Sequence, residues 1–356
     1  MARPGEEAMT QDWPDRRALG LGLAAIGLAA IGPAGCAGSG DRPILVNLAD
    51  LPPPAEPAPG DAGALLGTGS DAAGRITVPV RINGQGPFDF VVDTGANRTV
   101  VATELALKLG LPDRGPADIH GIAGVEPARK ALIDLLEVDE VATRGILAPT
   151  LPRSRMGAAG LLGVDVLRGR LVTIDFVRNE LRIGPSRRNA ERSAFDVRRD
   201  ATGLAPRDLG GPGVAVPARY RFGQLIIIGA DVAGRQVTAF IDSGSQSTVG
   251  NGALRRLVVG AESDPKARRY MVPIMSATGQ TAQADIAVMP LLQIGGLRIA
   301  SLSAAFADLH VFDIWQLAAK PSLLIGVDVL SQFNAIQLDY GGRKVIFYPR
   351  RKPVSG

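Results

Sequence analysis

Short apolar runs separated by turn residues fill the chain from Arg75 onward. "RITVPVRI" (75–82) meets Asn83-Gly84 and continues as "PFDFVV" (87–92), the pattern of two strands joined by a tight turn. Helical periodicity is sparse. "ATELALKLGL" (102–111) and "GALRRLVVG" (252–260) each predict one short helix, and a further helical turn is expected at each Gly-Val-Asp-Val-Leu. Everything else reads as strand and loop, so the predicted class is all-β. One feature conflicts with this pattern. Phe90-Val91-Val92 runs directly into Asp93, although a buried carboxylate is costly unless it is hydrogen-bonded or paired. Ala239-Phe240-Ile241 does the same at Asp242.

That coincidence belongs to a longer repeat. "FVVDTGANRTVV", "HGIAGVEPARKALI", "GLLGVDVL" and "VTIDFVRNELRIG" are answered in the same order by "AFIDSGSQSTVG", "SATGQTAQADIAVM", "LLIGVDVL" and "IQLDYGGRKVIFY". Asp93 to Gly163 spans 70 residues and Asp242 to Gly326 spans 84. Each copy ends in a hairpin, turning near Asn179 and at Gly341-Gly342. Two copies predict a duplicated domain with a pseudo-twofold axis rather than a solenoid. The expected lobes are residues 74–185 and 223–350, joined by a linker over 186–222.

A carboxylate on a tight loop at a strand end is presented at a fixed point. Gly95 and Gly244 let the backbone turn beside it and leave room for water and substrate. Thr94 and Ser243 offer hydroxyls that can bond the partner loop, and the small Ala96 and Ser245 keep the surroundings uncrowded. If the lobes pack about their twofold, Asp93 faces Asp242.

Asp93-Thr94-Gly95-Ala96 and Asp242-Ser243-Gly244-Ser245, paired with Leu161-Leu162-Gly163 and Leu324-Ile325-Gly326, resemble the aspartic proteases, most closely the retropepsin-like ones of bacteria. The resemblance covers roughly 75–185 and 223–349. It implies a two-lobed acid-protease fold in which each hydrophobic-Gly element supports the neighbouring Asp loop. It implies that Asp93 and Asp242 are catalytic, sharing one proton because two carboxylates about 3 Å apart cannot both ionise. It implies peptide or protein substrates, with Gly121 to Gly124 and Thr278-Gly279 as flaps. The Gly121–Gly124 and Thr278-Gly279 segments carry no aromatic at their tips. The expected activity is that of an aspartic endopeptidase, acting as a monomer with intramolecular lobe pairing. A silent peptide-binding module and an interaction scaffold are the alternatives on the same fold.

Other acidic and basic residues change the picture little. Asp165 and Asp328 stand where helices begin and read as caps, and Asp175 and Asp339 read as structural residues of the hairpins. His120 is expected to be a solvated loop residue, and His310 to lack a partner. Two histidines and one cysteine exclude a zinc site of the usual ligand spacing, so neither metal nor organic cofactor is expected. The net charge of +4 comes from scattered residues, 33 Arg against 6 Lys, without the basic patch that nucleic-acid binding needs.

The N-terminus carries a different message. Arg16-Arg17 precede 14 apolar or small residues, Ala18 to Ile31, followed by "GPAGCAGSG". This is the layout of an export signal, too short to be an ordinary membrane span. Ala34-Gly35-Cys36 resembles the end of a bacterial lipoprotein signal, which makes Cys36 a lipidation candidate. Residues 1–36 are therefore expected to direct export to the periplasm or cell envelope, with membrane attachment through the N-terminus. Residues 37–73, rich in Pro, Ala and Gly, are expected to be a linker.

Overall fold

The computed structural model describes residues 44–47, 69–70, 75–139, 141–186, 209, 211–221, 223–259 and 270–350. Strand predominates and the helices are short, as the apolar runs predict. In the N-terminal lobe six strands close into a barrel. Ile76–Ile82 pairs with Gln85–Val92, and Gly160–Leu162, Val100–Ala102, Val141–Leu151 and Val125–Val138 follow as successive neighbours. The last pairs back on the first through Arg81↔Glu137 and Ile82↔Leu136. Ile76, Val78, Val80 and Ile82 are buried at a period of two, which turns one face of the first strand inward. Asn83 (φ 50°) and Gly84 (φ 76°) supply the two left-handed residues that a type I′ turn needs.

The C-terminal lobe repeats this ladder with Gln224–Val232, Arg235–Ile241, Ser322–Ile325, Val249–Gly250, Ser303–Phe306 and Thr281–Val288. Its last strand stops before Pro290, which has no N–H for the ladder, and resumes as Leu292–Ile294, which pairs on Gln224–Val232.

The two terminal hairpins do not stay with their own lobes. Arg170–Asp175 lies antiparallel to Phe333–Asp339, so the hairpins of both repeats form one continuous sheet. Thr173 faces Gln337 at the centre of that register, and the two hold the same place in their repeats. The pseudo-twofold axis therefore passes between them. Gln337 Nε2 donates to Thr173 Oγ1 at 3.0 Å, and the Tyr348 hydroxyl donates to Gln337 Oε1 at 2.9 Å. Asp175 and Asp339 are structural, as expected: each accepts from backbone N–H groups of its own hairpin turn. The second turn differs in detail, since Arg343 rather than a glycine is left-handed (φ 54°), matching Asn179 (φ 55°) in the first. Gly342 is there for space, because a Cβ would lie 2.2 Å from Asp339 Oδ2.

The expected linkers contain ordered strands. Ile44–Asn47 runs parallel to Leu297–Ala300, and Gly69–Ser70 pairs with Ile76 and Thr77. Val214–Arg221 pairs on one side with the C-terminal strand and on the other with Gln224–Ile227, so the second lobe begins before residue 223. Alternating Val, Ala and Pro hide this strand in the sequence; its neighbours, not its own pattern, supply the ladder. Cys36 and the export segment lie outside the described residues.

Because Arg170–Asp175 finds its partner in the other lobe, a fragment ending at Ser186 is left with an apolar, unpaired edge strand. Such a fragment is expected to self-associate or to unfold without cooperativity. Size-exclusion chromatography with urea unfolding checks this, and a monomeric fragment with a sharp transition would count against a shared fold.

Candidate active site

Each Asp strand meets its hydrophobic-Gly element directly. Phe90, Val91 and Val92 pair in parallel with Gly160, Leu161 and Leu162; Phe240 and Ile241 pair likewise with Leu324 and Ile325. The Asp93 amide donates to Leu162 O and the Asp242 amide to Ile325 O, both at 3.0 Å. A Cβ on Gly163 would fall 2.4 Å from the Arg98 carbonyl carbon, and one on Gly326 would fall 2.6 Å from that of Ser247. These glycines thus let the loop after each Asp fold down onto the element. Val164 N to Ala96 O and Val327 N to Ser245 O, each 2.9 Å, close the arrangement.

Asp165 and Asp328 each accept from an amide of their own helix start, Val166 N at 3.1 Å and Val329 N at 2.8 Å, and do more than the capping expected of them. The caps of their helices are Gly163 and Gly326, with no side-chain cap bond. Asp165 Oδ1 accepts from the backbone N–H and hydroxyl of Thr99, and the Asp328 carboxylate accepts from the same groups of Thr248. Each threonine hydroxyl also accepts from the amide of Gly163 or Gly326. A Thr–Asp pair whose threonine is buried thereby clamps each Asp loop. The signal was available, since Thr99 and Thr248 both stand six residues after the motif aspartates.

The loops of the two lobes interlock. Thr94 Oγ1 donates to Ile241 O and accepts from Ser243 N, both at 2.9 Å. Ser243 Oγ donates to Val92 O at 2.7 Å and accepts from Thr94 N at 3.2 Å. Gln224, whose strand gives no hint of the role, donates from Nε2 to Gly95 O and Asn97 Oδ1 at 2.9 Å.

This interlock brings the two carboxylates face to face across the glycines. A Cβ on Gly95 would lie 2.6 Å from Asp242 Cγ, and one on Gly244 would lie 2.3 Å from Asp93 Cγ. Asp93 Oδ1 accepts from Gly95 N and Ala96 N at 2.9 Å; Asp242 Oδ1 accepts from Gly244 N and Ser245 N at 3.0 and 3.1 Å. Burial raises the Asp93 carboxyl above its ordinary range, against the downward pull of those amides and of Arg75. Burial and then the charge of Asp93 push Asp242 up to about 7. A pair of this kind holds one proton between its members over the interval separating two macroscopic titrations.

A family model described as aspartyl protease matches residues 78–166 and 228–329, once over each lobe. The chain belongs to the aspartyl protease family. A search among curated proteins found no match. In this family member the two matched stretches fall one in each lobe, and each contains one carboxylate, its glycine and its hydrophobic-Gly support.

Above the carboxylates lies a cavity of about 690 Å³, roofed by the two expected flaps. Gly121–Gly124 is the tip of the hairpin formed by Asp113–His120 and Val125–Val138; Thr278 and Gly279 lie in the tip between Met271–Met275 and Thr281–Val288. Both tips reach across the cleft. Ala123 N donates to Gln280 Oε1 at 2.9 Å, joining tip to tip. Gly279 packs on the backbone of Arg155. Ile122 O accepts from His310 N at 2.9 Å, and the Ile122 side chain packs against the apolar cluster that includes Leu309, Phe312 and Trp315.

The two histidines, expected to stand apart, meet here. His120 Nδ1 and His310 Nε2 are 3.2 Å apart, with ring planes 10° apart and centroids separated by 5.5 Å. That separation equals the N···N distance plus roughly a ring radius at each end, so the rings lie edge to edge and share an in-plane N–H···N bond. The segment carrying His310 is longer than its N-lobe counterpart: Phe306 to Ser322 spans what Leu151 to Gly160 spans in the first lobe, which is why sequence comparison of the repeats left His310 unmatched. Alanine at His310 removes the ring bond while keeping the backbone bond. Hydrogen exchange at the amides of residues 121–125 is expected to accelerate several-fold, with core amides unchanged. Equal exchange in both proteins would mean the ring bond does not hold the tip.

Proposed function

We propose that the chain is an aspartic endopeptidase. The observation that carries this reading is the facing of Asp93 and Asp242, one in each lobe, at the floor of a roofed cleft, with each carboxylate against the other lobe's glycine. With one proton on the pair, the ionised carboxylate takes a proton from a water bound between them. The water oxygen bonds to the scissile carbonyl carbon, while the protonated carboxyl donates to the carbonyl oxygen. The tetrahedral intermediate collapses when a carboxyl of the pair protonates the amide nitrogen; the C–N bond breaks and the single shared proton is restored. Desolvation under the flaps strengthens each of these bonds. No step calls on a metal or an organic cofactor.

Interlocked loops from one chain support an intramolecular pair and hence a monomeric enzyme. The Arg pair, the apolar run and Cys36 support export and envelope attachment. Fractionation of Cys36→Ala tests the last point: loss from the membrane fraction is expected, and unchanged fractionation would favour a cleaved signal or a simple anchor. Activity itself is tested by incubating the full chain with a diverse peptide library at pH 3–7 and reading products by mass spectrometry. Cleavage that a statine-type peptide inhibits and chelators leave intact supports the reading. Peptides left whole at every pH, with the statine peptide unbound, would sink it.

A further inference from the structure

The cleft is built by a pseudo-twofold, yet its two halves are not chemically equivalent. Arg98 and Ser247 occupy the same place, five residues after their aspartates, and their backbones do the same work beneath Gly163 and Gly326. The loop therefore folds equally well around serine, and the guanidinium is not needed for architecture. Arg98 is exposed, lines the cavity and meets no side-chain or backbone partner among the described residues. Asp118, exposed on the first flap, lines the same cavity one residue before buried Ile119. The other flap has Pro273 one residue before buried Ile274. The opposite half is instead extended by the long segment after Phe306, which adds Leu309, Val311, Ile314 and Trp315 to the wall. On the cavity wall the N-lobe thus places Arg98 and Asp118 where the C-lobe places Ser247 and Pro273.

We propose that Arg98 determines specificity by holding a glutamate or aspartate side chain of the substrate in the N-lobe half of the cleft. This rests on the peptidase reading and adds a substrate class to it: polypeptides with an acidic residue at one fixed position near the scissile bond. Guanidinium presents a planar fork that matches a carboxylate and keeps its charge throughout the working pH range. Arg98 lies on the loop that carries Asp93, where the approach of the bound chain to the carboxylates is fixed, whereas Asp118 and His120 ride on the flap hairpin. The preference depends on pH in a defined sense. A substrate glutamate ionises near about 4.3, so discrimination against its glutamine isostere appears above that pH and fades below it.

The test compares the full chain with Arg98→Ser, which installs the residue its twin carries, and with Arg98→Glu. Peptide sets differing only by Glu, Gln or Lys at each position flanking the scissile bond are scored by kcat/KM at pH 3.5 and 5.5. The wild type is expected to prefer Glu at one position by about tenfold at pH 5.5 and little at pH 3.5. Arg98→Ser is expected to lose that preference, its Glu-to-Gln ratio falling to about one, and Arg98→Glu to shift it towards Lys. Calorimetric binding of statine-type peptides carrying Glu or Gln at the same positions reads Arg98 without turnover, so it separates failure of this proposal from failure of the peptidase reading. An equal Glu/Gln ratio in wild type and Arg98→Ser, in rates and in binding, overturns the proposal. So does a wild-type preference for Lys, which would assign recognition to Asp118.

Discussion

Asparagine at either Asp93 or Asp242 is expected to lower kcat/KM on the order of 10³-fold or more, and asparagine at both to cost little beyond one. Each carboxylate has only half the chemistry: one must accept a proton from water while the other donates to the carbonyl, and asparagine can do neither in turn. The near-equivalence of the two losses follows from the matched bonding of the pair, each Oδ1 held by two loop amides. A rate profile with two limbs should accompany them. Both carboxyls are raised, Asp242 to about 7, so the alkaline limb should fall near neutrality and the optimum should be mildly acidic. Stability carries the opposite signature. A carboxyl raised by folding stabilises most below its unfolded value and costs stability as pH rises through its folded value. Asp242→Asn should therefore be more stable than the wild type near pH 7, by about 1–3 kcal/mol given that Asp242 is partly open to the cleft, and the gain should vanish near pH 3. Chemical denaturation at both pH values reads this directly. Substantial turnover in Asp242→Asn with none in Asp93→Asn would make the second motif structural and end the duplicated-dyad reading. Unchanged turnover in both would mean that the carboxylates do not carry the chemistry.

Valine at Thr94 is expected to destabilise the protein by about 2–5 kcal/mol, a large loss for a nearly isosteric change. The hydroxyl accepts from Ser243 N and donates to Ile241 O across the lobe boundary, and its removal leaves both buried backbone groups without partners. Thr94→Ser keeps the hydroxyl and should fall within about 1 kcal/mol of the wild type. Ser243→Ala loses the bond to Val92 O, and a double-mutant cycle with Thr94→Val should show strong coupling because the two hydroxyls belong to one network. Urea midpoints at unchanged slope measure all three. A Thr94→Val protein as stable as the wild type would mean that the interlock does not hold the lobes, and attention would move to Gln224 and the shared hairpin sheet.

The sequence by itself determined the repeated units. Strand patterning, the paired Asp-x-Gly loops, the hydrophobic-Gly elements and the short helices after them are local matters: period-two burial, glycine where a backbone must pass closely, and small residues beside a carboxylate. Their order alone places two equivalent carboxylates in two repeated lobes. The contacts between units were decided only in the tertiary structure. Asp165 and Asp328 read as caps because an aspartate at a helix start usually bonds its own helix; each does so, yet each is also held by the threonine of a loop 66 and 80 residues away, which no local pattern announces. Val214–Arg221 is a strand because two neighbours present open ladders to it, not because its alternation is strong. His120 and His310 meet 190 residues apart because a long segment in one lobe stands beneath the flap tip of the other. Local periodicity fixes which residues face inward; long-range partners depend on which surfaces the lobes bring together, and one copy of the repeat carries no trace of that.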